Sequence, residues 1–63
     1  MIDEQIVEGI VKQFIKLNHG NPIRTIWSLV NCMKKGYEQG NDEEANLYYE
    51  AVVNIIKEKL SSE

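Results

Sequence analysis

Residues 37–53, which read YEQGNDEEANLYYEAVV, contain the break between two helical patterns that decides the fold. Gly40 favours a helix end, because glycine readily adopts the left-handed conformation that closes many helices. Asn41 or Asp42 can cap the next helix, and Glu44 fits a capping-box position. The acidic residues also suit the positive end of a helix dipole, and their spacing matches no EF-hand calcium loop. The stretch therefore predicts a tight turn between two helices.

The rest of the chain continues this helical pattern. Apolar residues recur at helical spacing in three segments, which predict helices over about residues 2–18, 22–39 and 42–60. Asp3 is placed to cap the first helix, Gly20 to end it, and Asn21 with Pro22 to begin the second. Because the links are short, successive helices should be antiparallel. The predicted fold is all-α, a three-helix up-down-up bundle forming a single domain over residues 1–63.

The first helix has more apolar surface than its position in a bundle requires. Its apolar residues form two adjacent stripes, which are Ile6, Ile10, Phe14 and Leu17, and Val7, Val11 and Ile15. Together the stripes span roughly 220° of the helix, whereas two neighbouring helices cover only about 100–160°. We therefore expect Val7, Val11 and Ile15 to be covered by another protein surface, first of all in a symmetric homodimer. The alternative is a central first helix that buries both stripes within one chain.

The other two helices each show one apolar face that is expected to point to the core. On the second helix this face consists of Ile23, Ile26, Trp27, Val30, Met33 and Tyr37. On the third helix it consists of Ala45, Tyr48, Tyr49, Val52, Val53, Ile55, Ile56 and Leu60. Cys32 is expected beside the first of these faces, and Leu47 is expected to point away from the second.

Composition excludes several classes of function. One cysteine and one histidine among 63 residues cannot form an intrachain disulfide or supply the four Cys/His ligands of a structural zinc site. No apolar run approaches the ~18 residues of a membrane span. The acidic start of the chain does not resemble a secretory signal, so a cytoplasmic location is expected. A net charge of −3 disfavours nucleic acid as the main partner.

Catalytic chemistry finds no support in the residue pattern. The chain has no glycine-rich phosphate loop and no Ser-His-Asp or Cys-His arrangement. His19, at the predicted end of the first helix, suits an interaction with the helix dipole better than a role as base or metal ligand. Cys32 has Ser28 and Lys35 within one turn, which only partly provides the cationic surroundings of a reactive thiol. We expect no enzyme activity, catalytic residue, metal, cofactor or small-molecule substrate.

Residues 37–53 also resemble the turn and second helix of a tetratricopeptide repeat. In that family a glycine closes the first helix, a small alanine allows close helix approach, and an aromatic residue follows four positions later. Gly40, Ala45 and Tyr49 stand at these positions, and Val52 stands where a further small residue is usual. The preceding helix departs from the family pattern, because Met33 and Gly36 reverse the expected sizes. The resemblance implies a helical hairpin and peptide binding, although the family's groove needs three or more copies.

These observations favour a small non-enzymatic protein–protein interaction module, a regulator or inhibitor that docks on a larger protein with a basic site. The expected interface residues are Val7, Val11 and Ile15 on the first helix and Asp42, Glu43 and Glu50 on the third. The alternative is a dimeric DNA-binding regulator, since the second helix carries residue types that contact phosphates and base edges. These residues are Arg24, Ser28, Asn31 and Lys35. A third possibility is a structural subunit of a larger assembly.

Overall fold

The computed structural model describes residues 3–61, which form three α-helices. Helix α1 spans Glu4–Leu17, α2 spans Pro22–Glu38 and α3 spans Asp42–Ser61. All three helices pack against one another, which confirms the predicted all-α three-helix bundle with its up-down-up order. The predicted helix ends differ from the observed ones by one residue, and the predicted start at residue 2 lies outside the described residues.

Side-chain caps begin the first two helices, as predicted. The Asp3 carboxylate accepts a hydrogen bond from the backbone N–H of Gln5 at 2.9 Å. The Asn21 side chain accepts from the backbone N–H groups of Ile23 and Arg24 at 3.0 and 3.1 Å. The proline that follows this asparagine is the first residue of α2. These bonds satisfy backbone donors that have no partner within a helix, and so they fix where each helix starts.

Left-handed residues end the first two helices. Gly40 has a φ of 75°, and the next N–H, of Asn41, donates to a carbonyl five residues earlier at 2.8 Å. This confirms Gly40 as the stop of α2. At the end of α1 the prediction of Gly20 was incomplete. His19 is the first left-handed residue there, with a φ of 56°, and Gly20 donates to the Ile15 carbonyl at 2.9 Å. Residues 19 and 20 therefore close the helix together.

The contact between α2 and α3 is the most extensive in the bundle, and it depends on two small residues. Gly36 is buried against Ala45, which is fully buried. A Cβ atom on Gly36 would lie 2.9 Å from the Cβ atom of Ala45 and 3.3 Å from its Cα atom. Nonbonded carbon atoms prefer separations of about 3.5–4.0 Å. Glycine at position 36 therefore allows the two helices to approach this closely.

A small core lies where the three helices meet. Its buried hydrophobic residues, among residues 3–61, are Val7, Val11, Leu29, Ala45, Ala51 and Ile55. Thr25 is also fully buried, and its hydroxyl donates to the Asn21 carbonyl at 2.7 Å, so its polar group has a partner. Within the described range, no buried side-chain nitrogen or oxygen lacks a hydrogen bond. The core thus combines aliphatic side chains with several small ones.

The expectation that another protein surface covers Val7, Val11 and Ile15 is wrong for Val7 and Val11. Val7 is only 2% exposed, Val11 is buried with it, and Ile15 packs against the same core. The chain itself buries Val7 and Val11 and half-buries Ile15, but the first helix is not the central one, because the most extensive contact is between α2 and α3. The exposed apolar residues of α1 are instead Ile6 and Leu17, from the neighbouring stripe. Val7 and Val11 are therefore not available for a protein interface while the bundle is folded.

The predicted core face of α2 is also largely wrong. Four of its members are exposed, namely Ile23, Trp27, Val30 and Tyr37, while Ile26 and Met33 are half-buried. The buried residues of α2 are Thr25, Leu29 and Gly36, and Cys32 lies half-buried on the same side. Counting large apolar residues missed this side of the helix, because two of its positions are small residues selected by close packing.

The predicted core face of α3 is also rotated about the helix axis relative to the observed one, but by less than that of α2. Ala45, Ala51 and Ile55 are buried, and Leu47, which was expected to point away, packs against the core. Tyr48 and Val52 pack against the core as expected. Three residues of the predicted core face are exposed, namely Tyr49, Ile56 and Leu60. The true core side is again marked by small residues, here the two alanines.

Replacing Gly36 by alanine tests the close contact between α2 and α3. Gly36→Ala should lower the free energy of unfolding by about 1–2 kcal/mol, because overpacking outweighs the higher helix propensity of alanine. Gly9 is the matched control, since it also lies within a helix but a Cβ atom there would meet no heavy atom within 4 Å. Gly9→Ala should raise the free energy of unfolding by roughly 0.5–1 kcal/mol.

Urea denaturation followed by circular dichroism measures both changes. Equal stabilisation by the two substitutions would show that α2 and α3 do not meet at Gly36.

Candidate protein-binding surface

Helices α2 and α3 carry an apolar surface on the side of their hairpin away from α1, which we call the outer face. It consists of Ile23, Trp27, Val30 and Tyr37 of α2 and of Tyr49, Val53, Ile56 and Leu60 of α3. Seven of these eight side chains are exposed, and Val53 is half-buried. Ile23 and Trp27 are the most exposed, at 77% and 70%. The outer face thus exposes seven large apolar side chains, whereas four are buried in the core, namely Val7, Val11, Leu29 and Ile55.

Helical spacing and one hydrogen bond place the two halves of the outer face side by side. Within each helix the members are three, four or seven residues apart, so they form one stripe. The Tyr37 hydroxyl of α2 donates to the Asn46 side chain of α3 at 2.7 Å. Asn46 lies one turn before Tyr49, the first member of the α3 stripe. The stripes of α2 and α3 therefore adjoin at this end of the hairpin.

Contacts of α1 with α2 lie on the other side of α2. The Ser28 hydroxyl donates to the Asn18 side chain, at the end of α1, at 3.3 Å. At about 100° per residue, Ser28 lies roughly 100° to one side of the buried Leu29, and Tyr37 lies roughly 80° to the other side. The α2 stripe consequently points away from α1.

The same argument holds for α3. The rings of Phe14 in α1 and Tyr48 in α3 meet edge to face, with their centroids 5.9 Å apart. Tyr48 lies roughly 160° around α3 from Asn46, which faces Tyr37. Tyr49, Ile56 and Leu60 of the α3 stripe are exposed, so no helix within residues 3–61 covers them.

Charged residues lie within and beside the outer face. Lys34 falls within the α2 stripe, one turn after Val30, and it is exposed. Asp42 is exposed in line with the α3 stripe, seven residues before Tyr49. Glu50 lies at the α3 border of the face and is half-buried. The α2 half of the face therefore carries a positive charge, and the α3 half carries negative charge in line with it and at its border.

The predicted acidic flank of α3 is divided between two sides of the helix. Glu43 and Glu50 are seven residues apart and share one side, whereas Asp42 lies about 100° from Glu43. Asp42 and Glu43 are both exposed in the first turn of α3. Only Asp42 thus lies in line with the outer face, and the other two acidic residues form its edge.

One of the four residues of the alternative nucleic-acid face makes a hydrogen bond within the bundle. Arg24, Asn31 and Lys35 are exposed along one side of α2. Ser28, the fourth member of this group, is half-buried and donates its hydroxyl to α1. Three of the four residues therefore remain accessible.

A small hollow near the turn between α2 and α3 contains Cys32 and Tyr48. The Tyr48 hydroxyl donates to the Glu44 carboxylate at 3.2 Å, and the Asn41 side chain donates to the same carboxylate at 2.6 Å. Burial raises the pKa of Tyr48, and the hydrogen bond and the negative charge of Glu44 raise it further. The phenol is thus held in its neutral form as a hydrogen-bond donor. Glu44 links the start of α3 to its next turn.

The remaining surface offers little convergent chemistry. An open groove between α1 and α3 has charges of both signs, and it is lined by Glu8, Val11, Lys12, Asn54, Lys57 and Glu58. Among residues 3–61, no three His, Cys, Asp or Glu side chains come together in a way that could hold a metal ion. Over the same residues, no helix has the length and apolar character needed to cross a membrane. Compared with known proteins, the chain matches no family model, no curated protein and no solved structure.

The apolar periodicity of α2 and α3 predicts the residues of the outer face as core residues, and so it does not reveal this surface. A usable signal was nevertheless present on α2. Thr25, Leu29, Cys32 and Gly36 recur at helical spacing, and three of these four residues are small. Such a row of small and medium residues is typical of a helix side that meets another helix closely. Reading it as the inner side places Trp27 outside.

Leu29 and Trp27, two residues apart, test which side of α2 faces the core. Leu29→Ala should lower the free energy of unfolding by about 2–5 kcal/mol, because Leu29 is 0% exposed. Trp27→Gln should change it by no more than ~0.5 kcal/mol in a dilute solution of the isolated chain, because this side chain touches mainly solvent. Chemical denaturation followed by the helical circular dichroism signal measures both values. The assignment fails if Trp27→Gln proves the more damaging substitution.

Proposed function

We propose that this chain is a small non-enzymatic protein-binding module of the regulator or inhibitor class, and that it binds through the outer face. The exposed apolar surface of α2 and α3 is the observation that carries this proposal. Apolar surface in water is unfavourable, and folded monomers rarely leave a large contiguous patch of it uncovered. A second protein surface would remove this patch from water.

The size of the outer face supports a protein as the ligand. An aromatic residue can bury roughly 150–250 Å² and an aliphatic one somewhat less, so the exposed fractions amount to on the order of 800 Å². The largest apolar patch on a typical monomer is about 300–600 Å². A standard protein–protein interface takes about 800 Å² from each partner. The outer face is therefore larger than the apolar patch of a typical monomer, and it is as large as one side of a standard interface.

Its composition and shape support the same conclusion. Trp and Tyr are enriched at the centres of protein interfaces, and the outer face has Trp27, Tyr37 and Tyr49. The surface runs along two adjacent helices, which suits an elongated partner such as another helix. The acidic residues beside it, Asp42 and Glu43, favour a partner with basic groups. We place this module in the cytoplasm, where a lone thiol such as Cys32 stays reduced.

Site-specific photo-crosslinking in the cells that produce the chain tests this function. With p-benzoylphenylalanine in place of Tyr49, irradiation should give covalent protein adducts, because the probe then lies within the proposed interface. Gln13 provides the matched control position, since it is exposed on α1, outside the outer face. Gel electrophoresis and mass spectrometry should find few adducts from the control.

Adducts that contain either the same chain or a different protein support a protein-binding face. Equal crosslinking from both positions, or none from position 49, would rule out the outer face as the binding surface.

A further inference from the structure

We infer that the occupant of the outer face is a second copy of this chain, in a two-fold dimer in which α2 of each copy lies over α3 of the other. This inference rests on the proposed function, because it names the partner of the same surface. The dimer expected from the sequence used α1, but Val7 and Val11 of that helix are buried within one chain. The dimer inferred here uses α2 and α3 instead.

The first argument is the balance of apolar side chains inside and outside one chain. Among residues 3–61, six hydrophobic residues are buried, and two of these are alanines. The exposed members of the outer face include one tryptophan and two tyrosines. A chain of about 60 residues buries only ~60% of the surface that its unfolded form exposes, and its stability is correspondingly small. Small domains commonly compensate by forming oligomers, and a dimer would give this chain a second apolar layer.

The second argument is the match between the outer face and the area that a dimer needs. A face of on the order of 800 Å² on each copy gives a total interface near the ~1,600 Å² of stable complexes. Both stripes run the length of the α2–α3 hairpin, so two copies can meet face to face along nearly parallel axes. Each copy would then cover the patch of the other, as two-fold symmetry requires.

The third argument is charge. In the proposed dimer the two-fold axis is parallel to the helices. It therefore places α2 of one copy opposite α3 of the other, and each residue keeps its level along the axis. Because Gly36 contacts Ala45 and the two helices are antiparallel, this contact fixes which residues of α2 and α3 lie at the same level along the bundle axis. Lys34 and Glu50 lie within about one helical turn of the same level. The rotation brings Lys34 of each copy to Glu50 of the other, and so the arrangement forms two identical pairs of opposite charge. The charges on the outer face are therefore complementary to those of a second copy.

Sedimentation equilibrium of the full chain over a wide concentration range measures the dimer directly. We expect a reversible equilibrium between 7.3 and roughly 15 kDa. Fluorescence of Trp27, the single tryptophan, gives an independent readout. Its emission should move to the red on dilution, because dissociation exposes the indole to water.

Substitutions on and off the outer face locate the interface. Trp27→Gln should weaken dimerisation by about 30-fold or more, as expected for a buried aromatic anchor. Leu17→Gln is the matched control, because Leu17 is as exposed as Trp27, at 67% and 70%, but lies on α1. It should leave the dimer unchanged. Since Trp27→Gln removes the fluorophore, this variant is followed by sedimentation, and its circular dichroism spectrum checks that it is folded.

A charge exchange tests the orientation of the two copies. Lys34→Glu alone and Glu50→Lys alone should each weaken the dimer by roughly tenfold. The double variant should recover most of this loss, because both reversed charges meet again across the two-fold axis. A foreign partner would give no such recovery.

Three results would overturn the inference. They are a monomer up to millimolar concentration, a dimer that Leu17→Gln disrupts while Trp27→Gln does not, and no recovery in the double variant. If the chain is monomeric while position 49 crosslinks a different protein, the second copy is excluded and the protein-binding function stands. If neither dimer nor crosslink appears, both proposals fail.

Discussion

The bundle depends on how closely α2 and α3 approach each other at Gly36 and Ala45. Any larger side chain at position 36 would collide with Ala45, so this side of α2 must face α3. Once this contact is fixed, the rotation of both helices is fixed as well. Thr25 and Leu29 then point inward, and Trp27, two residues from each of them, points outward. The same small residues that permit tight packing therefore leave large apolar residues on the surface.

This division explains how a chain so short can have both a core and a second, exposed apolar surface. The inner side of the α2–α3 hairpin is covered by α1, which contributes Val7 and Val11 to the core. The outer side has no such cover within residues 3–61. A fourth helix would complete a second layer, and in the proposed dimer the hairpin of the other copy supplies it. The exposed Trp27 and Tyr49 then have a physical reason to be there, because they contribute to a core that one chain cannot form.

The sequence predicted the elements of this fold well and their rotation poorly. Local signals set the helix ends, since the Asp3 and Asn21 caps and the Gly40 stop depend only on neighbouring residues. Rotation depends on which helices meet, and this is a property of distant residues. The stripe of Val7 was placed outside because α1 has a wide apolar arc, whereas the excess apolar surface is greatest on α2 and α3. For the same reason the sequence could not locate the outer face, although it did indicate more apolar surface than one bundle can bury.

A nuclear Overhauser spectrum of the isotope-labelled chain tests this account most directly. We expect cross-peaks between the α-protons of Gly36 and the methyl group of Ala45, since a Cβ atom at position 36 would overlap this methyl group. We expect none between the indole of Trp27 and the methyl groups of Val7 or Val11. Cross-peaks from the indole to either valine would mean that α2 is rotated, with the outer face inside, and would contradict the account.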